Sequence, residues 1–373
     1  MKKLSFKNTM LIGFTLFSMF FGAGNLIFPP LLGAQAGGAT VVAMAGMIIT
    51  AVCFPILAVA SIAKHDNLMK LTSMIHPWFA SVFTVLVCLM IGPFVAIPRT
   101  ASTSFEMAVV PFLHMEGAGL MTVRVIYSAL FFAGASLVAL RPSKLKDLLG
   151  RIMTPILVVM ILVIFIGVLV KVPAVFGAPT AGYEKNAALT GFITGYQTMD
   201  ILAALQFGII IAMNIEDLGL HDRDEIARET IKAGVIAGIL LALIYSATSY
   251  IGAAVSGVPG LLGSSETGAG ILTYAIFQCY GPAGQVIAGT VFLVACFDVC
   301  CGLLSSCSKY FNELVPGVSY KVWLCIFSVF SFVVSSAGLY SILSFSFPVL
   351  KVICPISILI IFYGFIKKRQ PDV

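Results

Sequence analysis

The stretch FFGAGNLIFPPLLGAQAG, residues 20–37, interrupts an apolar run of the length that crosses a bilayer. Gly22, Gly24, Asn25, Pro29 and Pro30 are poor helix formers. A second such stretch, GFITGYQTMD at 191–200, sets Gly191, Gly195, Gln197, Thr198 and Asp200 inside another apolar run. Unpaired backbone in lipid costs several kcal/mol per group, so these segments persist only where protein buries them or a polar cavity faces them.

The rest of the chain sets those breaks in a membrane. Of 373 residues, 60% are hydrophobic and 10% charged, and the mean hydropathy is +1.05. A soluble domain carries about 25% charged residues. Apolar run length places ten spans at 10–32, 40–63, 78–98, 122–140, 152–170, 190–213, 231–256, 282–308, 319–337 and 340–366, with a short helix at about 268–280 before the eighth. The opening MKKLSFK leads into a run too long and too interrupted for a cleaved leader, so it reads as the start of the first span. The longest polar stretch, 214–232, reads as a solvated cytoplasmic loop, and no soluble domain is expected.

The net charge of +6 suggests nucleic acid until the charges are located. With the N-terminus inside, Arg99, Arg124, Lys171 and Lys185 fall outside and Lys351 falls within a span, while the other 17 of the 22 Lys and Arg face the cytoplasm. That bias follows the positive-inside rule and places both termini in the cytoplasm. There is no CxxC pair among the nine Cys; eight, in or beside apolar runs, read as small buried hydrophobes, and Cys279 alone falls in an outer segment, so no disulfide framework is expected. His65, His76, His114 and His221 lack metal-ligand spacing and read as loop polarity.

The two breaks sit five spans apart on helices of opposite direction. This is the pattern of two inverted repeats, residues 1–171 and 190–366. Interrupted helices in corresponding positions of two halves mark the substrate site of a secondary transporter. Their ends offer N–H groups to an anion and carbonyls to a cation. An enzyme reading lacks support: there is no P-loop, HExxH or GxSxG, and GAGNLI lacks the third Gly of a dinucleotide fingerprint. No cofactor is expected. A channel needs a continuous polar path, whereas the polar residues here cluster at mid-depth. A passive scaffold has no use for broken helices with buried carboxylates.

Four segments carry a family resemblance: residues 20–37, IGPFVAIPRTASTSFE at 91–106, GYQTMDILAALQFG at 195–208 and CGLLSSCSKYF at 301–311. Through them the chain resembles the branched-chain amino acid:cation symporters of BrnQ type, within the amino acid/polyamine/organocation superfamily. The resemblance implies an all-α fold similar to the five-plus-five inverted repeat of the leucine transporter. It also implies sodium-driven import of leucine, isoleucine and valine across a bacterial inner membrane by alternating access. A proton-driven carrier, or one for another neutral amino acid, is the alternative. Members usually carry two helices after the tenth; this sequence ends at IKKRQPDV.

By the same resemblance, Gly22, Ala23, Gly24, Asn25, Tyr196, Thr198 and Asp200 would border the substrate. The Ala23 and Gly24 amides would meet its carboxylate, and Asp200 would partner its amino group. Sodium would draw on the carbonyls of Ser18 and Phe21, on Asn25, and on Ala295 and Asp298 in ACFDVCCGLLSSC, residues 295–307. Family members usually show a Thr pair near Asp298 and Val299. Hard cations take oxygen ligands, so Asp298 can serve and the Val299 side chain cannot. Lys351 either snorkels or pairs with Asp298. Arg99 and Glu106, seven residues apart at the expected outer end of the third span, are either an interfacial anchor pair or a gate.

Overall fold

The computed structural model describes residues 4–113, 117–140, 142–264 and 267–367. His114, Lys2, Lys3, Arg141, Lys368 and Arg369 lie outside the described residues, as do the side chains of Lys144, Lys146 and Arg151. The described residues form helices α1 (Phe6–Phe20), α2 (Ala23–Ala36), α3 (Thr40–Ile48), α4 (Phe54–His65), α5 (Leu68–Ser73), α6 (Pro77–Leu89), α7 (Ala96–Ala108) and α8 (Ala118–Ala139). They continue with α9 (Pro142–Lys171), α10 (Tyr183–Thr194), α11 (Asp200–Glu216), α12 (Arg223–Ala254), α13 (Leu261–Ser264), α14 (Gly268–Leu314), α15 (Tyr320–Ser336) and α16 (Leu339–Ile366).

Each expected span falls on helix, but the spans are not all single rods. Among the described residues, six helical units are long and apolar enough to cross a bilayer, or seven if the bent pair α10–α11 counts as one. The count is below ten because breaks divide some of the expected spans, the first falling on α1 and α2, and because α15, Tyr320–Ser336, is short. Large apolar side chains cover the outside, among them Leu130, Val333 and Leu359, as suits helices surrounded by lipid.

Local chemistry sets several ends. The Ser5 hydroxyl accepts from the Asn8 amide at 3.3 Å to start α1. Pro77, which has no N–H to satisfy, opens α6 behind a His76 cap. Asp222 accepts from the Glu225 amide at 2.9 Å and starts α12. This cap shortens the expected polar loop 214–232: α11 runs to Glu216 and α12 begins at Arg223, with Glu229 and Thr230 buried. The expected helix at 268–280 is present as the first arm of α14. That arm ends at a kink at Gly281, φ 62° and ψ −158°, followed by Pro282.

Small residues let backbones meet. At Gly33 a Cβ would strike the Ser249 carbonyl of α12, and at Gly252 one would strike the Pro30 carbonyl of α2. The Ser249 hydroxyl also donates to the Pro29 carbonyl at 2.9 Å. The two prolines thus lie inside α2, and the break comes before them.

Other expectations are corrected. His65 is buried, with Nδ1 at 3.1 Å from the Ser61 carbonyl one turn back. Cys279 is buried where the first arm of α14 packs inward, whereas Cys53 and Cys325 are exposed; all nine Cys are free. Lys351 does not pair with Asp298: it is exposed, with its ammonium 4.2 Å from the centre of the Phe347 ring.

Candidate functional site

Helix α1 stops at Phe20 because the next two residues leave helical geometry: Phe21 takes φ −74°, ψ 93°, and Gly22 takes φ −127°, ψ −170°. Helix α2 restarts at Ala23. The first amides of a helix have no carbonyl partner within it, so those of Ala23 and Gly24 face outward at the break. Asn25 ties the turn together. Its Oδ1 accepts from the Gly22 amide at 3.1 Å.

The second break answers it. One 3-10 turn, Gly195–Thr198, ends α10, and Met199 takes the left-handed φ 66°, ψ 12°. A residue with a Cβ spends about 1 kcal/mol to adopt that conformation. Helix α11 then starts at Asp200, bent 48° from its predecessor. Asp200 stands in the first turn, where the helix dipole favours a carboxylate.

The two ends meet directly. The Asn25 side-chain amide donates to Asp200 Oδ1 at 3.2 Å and to Oδ2 at 3.1 Å. The Tyr245 hydroxyl of α12 donates to Asp200 Oδ2 at 2.8 Å and also contacts the Asn25 amide nitrogen. Asn25 and Asp200 are 1% and 2% exposed. Burial without such partners would cost several kcal/mol, so the trio is a satisfied polar cluster in an apolar interior.

A third break brings in Arg99. Between α6 and α7 the chain leaves helical geometry at Gly92, φ −85°, ψ −126°, and the Ser331 hydroxyl satisfies the Pro93 carbonyl at 3.4 Å. Helix α7 then carries Arg99 inward, not into an outer loop, which corrects its sorting with the outer charges. Arg99 is 4% exposed. Its NH1 donates to the Gln197 carbonyl at 2.7 Å and its NH2 to that of Thr198 at 3.4 Å, with the guanidinium carbon 5.5 Å from the Phe28 ring centre. The cation therefore caps the carbonyl end of the second break. Glu106 lies two turns further on and accepts from the Thr267 hydroxyl at 2.7 Å.

These groups wall a cavity of about 60 Å³. That is room for roughly four waters, at about 15 Å³ each. Its polar walls are Gly22, Ala23, Gly24, Asn25, Arg99, Thr100, Thr198 and Asp200; its apolar walls include Phe20, Ile91, Ala203, Phe207, Val299 and Leu303. Six of the seven expected substrate residues are here. Tyr196 is buried beside them, edge-on to Phe192 at 5.6 Å, but is not among the walls. Of the expected cation ligands only Asn25 lines this space. Ser18 is half-buried on α1, Phe21 stacks on Phe17 at 5.3 Å, and Ala295 and Asp298 stand on α14 next to the wall residue Val299.

Sequence reasoning missed Arg99 as a wall and Tyr245 altogether. Gly92-Pro93 within an apolar run is the signal that locates the third break, and so Arg99. Nothing in LALIYSATSY, residues 241–250, singles out Tyr245. A larger apolar groove of about 400 Å³ lies on the outside beside Phe94 and Phe345, with Ser341 the one polar side chain in its lining.

A model of the branched-chain amino acid transport protein family matches residues 5–372. The chain belongs to that family. Two relatives in Bacillus subtilis (strain 168) are similar along most of their length. The branched-chain amino acid permease BrnQ is 41% identical over 372 residues, 98% of this chain and 82% of its own. The permease BraB is 38% identical over 366 residues, 98% of this chain and 81% of its own. Among solved structures, this family member is similar to MhsT in complex with L-phenylalanine, with a TM-score of 0.62, 17% identity, and 96% of this chain and 88% of that one covered. It is also similar to Mhp1, a nucleobase-cation-symport-1 family transporter in a closed conformation with bromovinylhydantoin bound, with a TM-score of 0.62, 13% identity, and 98% and 80% covered. At such identity the likeness speaks for the fold, which is the leucine-transporter-like one that the sequence resemblance implies. This family member is thus a multi-pass membrane protein of amino acid transport.

Proposed function

We propose that this protein imports leucine, isoleucine and valine across a bacterial cytoplasmic membrane by sodium symport, with both termini in the cytoplasm and two inverted repeats, 1–171 and 190–366, alternating access to one site. The observation that carries the reading is the meeting of two helix breaks at Asn25 and Asp200 over a cavity with apolar walls. The Ala23 and Gly24 amides take the substrate carboxylate, and Asp200 takes the ammonium. Phe20, Ile91, Phe207 and Val299 take the aliphatic chain. Burial gives roughly 0.8 kcal/mol per CH₂, so leucine gains about 2.4 kcal/mol over alanine on this wall. The cavity is too small for leucine as it stands, so its walls part on binding. The two non-helical residues of the first break and the left-handed residue of the second are where the chain bends most easily.

Sodium would take oxygen from Ser18, Phe21, Asn25, Ala295 and Asp298 and bind the loaded, outward-facing arrangement better than the empty one. A ligand shifts an equilibrium only by such a difference in affinity. Proton coupling is the second reading, favoured by a carboxylate, Asp298, beside Val299 where the family pattern has hydroxyls. The test is uptake of radiolabelled leucine by protein reconstituted in liposomes. A sodium gradient at constant pH drives saturable accumulation if the reading is right. Accumulation that follows only a pH gradient replaces sodium with protons, and no accumulation of any branched-chain amino acid under either gradient sinks the reading.

A further inference from the structure

We propose that Arg99 is the charge partner of the substrate's α-carboxylate, which makes this site specific for amino acids with a free carboxylate. The inference rests on the transport reading above and names a ligand that reading left out. The Arg99 guanidinium carries five N–H donors. Two are directed at carbonyls, and the one to Thr198 is long at 3.4 Å. Its Nε is buried and has no hydrogen-bond partner. Among the described residues no carboxylate forms an ion pair with it. Asp200, the nearest candidate, is already held by Asn25 and Tyr245.

A buried cation with open donors is costly, and here the open donors meet a second feature that seeks an anion. The α2 N-terminus is in contact with the guanidinium: a Cβ built on Gly24 would lie 2.7 Å from Arg99 NH2. That turn offers the Ala23 and Gly24 amides, and the Thr198 carbonyl, 3.1 Å from the same Cβ position, holds Arg99 NH2 only at 3.4 Å. Nε and NH2 present two parallel N–H groups, the spacing that matches the two oxygens of a carboxylate. An anion seated there faces both the helix dipole and the guanidinium, while the ammonium two bonds away reaches toward Asp200. The pair Arg99 and Asp200 then mirrors the zwitterion, and the filled site gains no net charge. Leucinamide and 3-methylbutylamine keep the ammonium and the side chain but lose the anion, so they would leave Arg99 unanswered.

Equilibrium binding separates this role from that of a mere prop for the Gln197–Thr198 turn. Purified full-length protein is loaded with radiolabelled leucine in sodium buffer, and unlabelled leucine, leucinamide and 3-methylbutylamine compete. In the wild type both analogues compete on the order of 10- to 100-fold less well than leucine, the worth of one or two charge-assisted hydrogen bonds. In Arg99→Gln, leucine falls to the level of leucinamide while leucinamide itself changes little. Arg99→Lys, which keeps a charge but not the fork, recovers part of the discrimination. Leucinamide binding within about threefold of leucine in the wild type overturns the proposal without any variant. So does an equal loss of both ligands in folded Arg99→Gln or Arg99→Lys, checked by size exclusion, because a prop would affect both alike. Wild-type protein that binds no branched-chain amino acid fails the transport reading itself, a different result from binding without discrimination.

Discussion

The Asn25 side-chain amide donates to both oxygens of Asp200, at 3.2 and 3.1 Å, and so joins two helix breaks 175 residues apart. Each residue stands in the first turn of its own helix, and each is buried. Neither break could keep its geometry alone, since each needs the other to answer the polar groups that the interruption exposes.

Asn25→Ala should therefore damage the site from both sides. It strips the Gly22 amide of its acceptor and Asp200 of a donor. Each buried group left unmatched costs about 1–3 kcal/mol. Leucine uptake at low concentration should fall by at least about 10-fold, with the protein still inserted in the membrane. Uptake within a factor of two of wild type would contradict the role given to this residue.

Tyr245→Phe keeps the ring and removes only the hydroxyl that donates to Asp200 Oδ2 at 2.8 Å. A hydrogen bond to a charged group is worth about 1.5–3 kcal/mol, so leucine affinity should drop on the order of 10-fold. Because Asn25, Asp200 and Tyr245 form one cluster, adding Asp200→Asn should cost less than the sum of the two changes. Strict additivity in a double-mutant cycle of leucine binding would show the cluster does not act as a unit.

Gly24 and Gly302 offer a matched comparison. A Cβ on Gly24 would lie 2.7 Å from Arg99 NH2 and 3.1 Å from the Thr198 carbonyl, whereas one on Gly302 would meet nothing within 4 Å. Gly24→Ala should abolish most uptake. Gly302→Ala, in the interior of α14, should leave uptake intact and stabilise the helix by up to about 1 kcal/mol. Thermal unfolding in detergent and vesicle uptake measure the two effects separately.

On the cytoplasmic side of the proposed topology, Arg223 forms ion pairs with Asp66 at 2.8 Å and with Glu216. It thereby ties the end of the second expected span to the α11–α12 turn. Arg223→Gln should lower stability by less than about 1 kcal/mol, because the group is partly solvated. The loss should shrink as salt is raised. A large loss that salt does not change would mean the residue does more than pair with surface charges.

If Asp298 is a sodium ligand, Asp298→Ala should raise the sodium concentration needed for half-maximal uptake by at least about 10-fold, the worth of one charged ligand. Unchanged sodium activation would remove it from the coupling site.

The breaks at Gly22 and Met199 were legible because Gly, Asn, Gln and Asp are conspicuous in apolar runs. Six of the seven residues expected to border the substrate share one cavity, a proximity that two breaks in register already suggested. Arg99 was misplaced for a physical reason. Run length ends the third span where charge begins, but Gly92 breaks that span and α7 continues it to Ala108, which draws the charge inward. Tyr245 reaches Asp200 only through the packing of α12 on α2, and no local pattern encodes that contact. His65 and Lys351 likewise took environments set by neighbouring helices rather than by their own segments.

The interlocked glycines of α2 and α12 limit how the molecule can rearrange. With Gly33 seated on Ser249 and Gly252 on Pro30, there is no room for one rod to roll or slide on the other. Under the proposed alternating access the two would travel as a single lever, with the two-residue gap at Phe21 and Gly22 as the fulcrum on the α2 side. A cysteine cross-link between α2 and α12 should leave turnover intact, whereas one that spans the gap from α1 to α2 should freeze it.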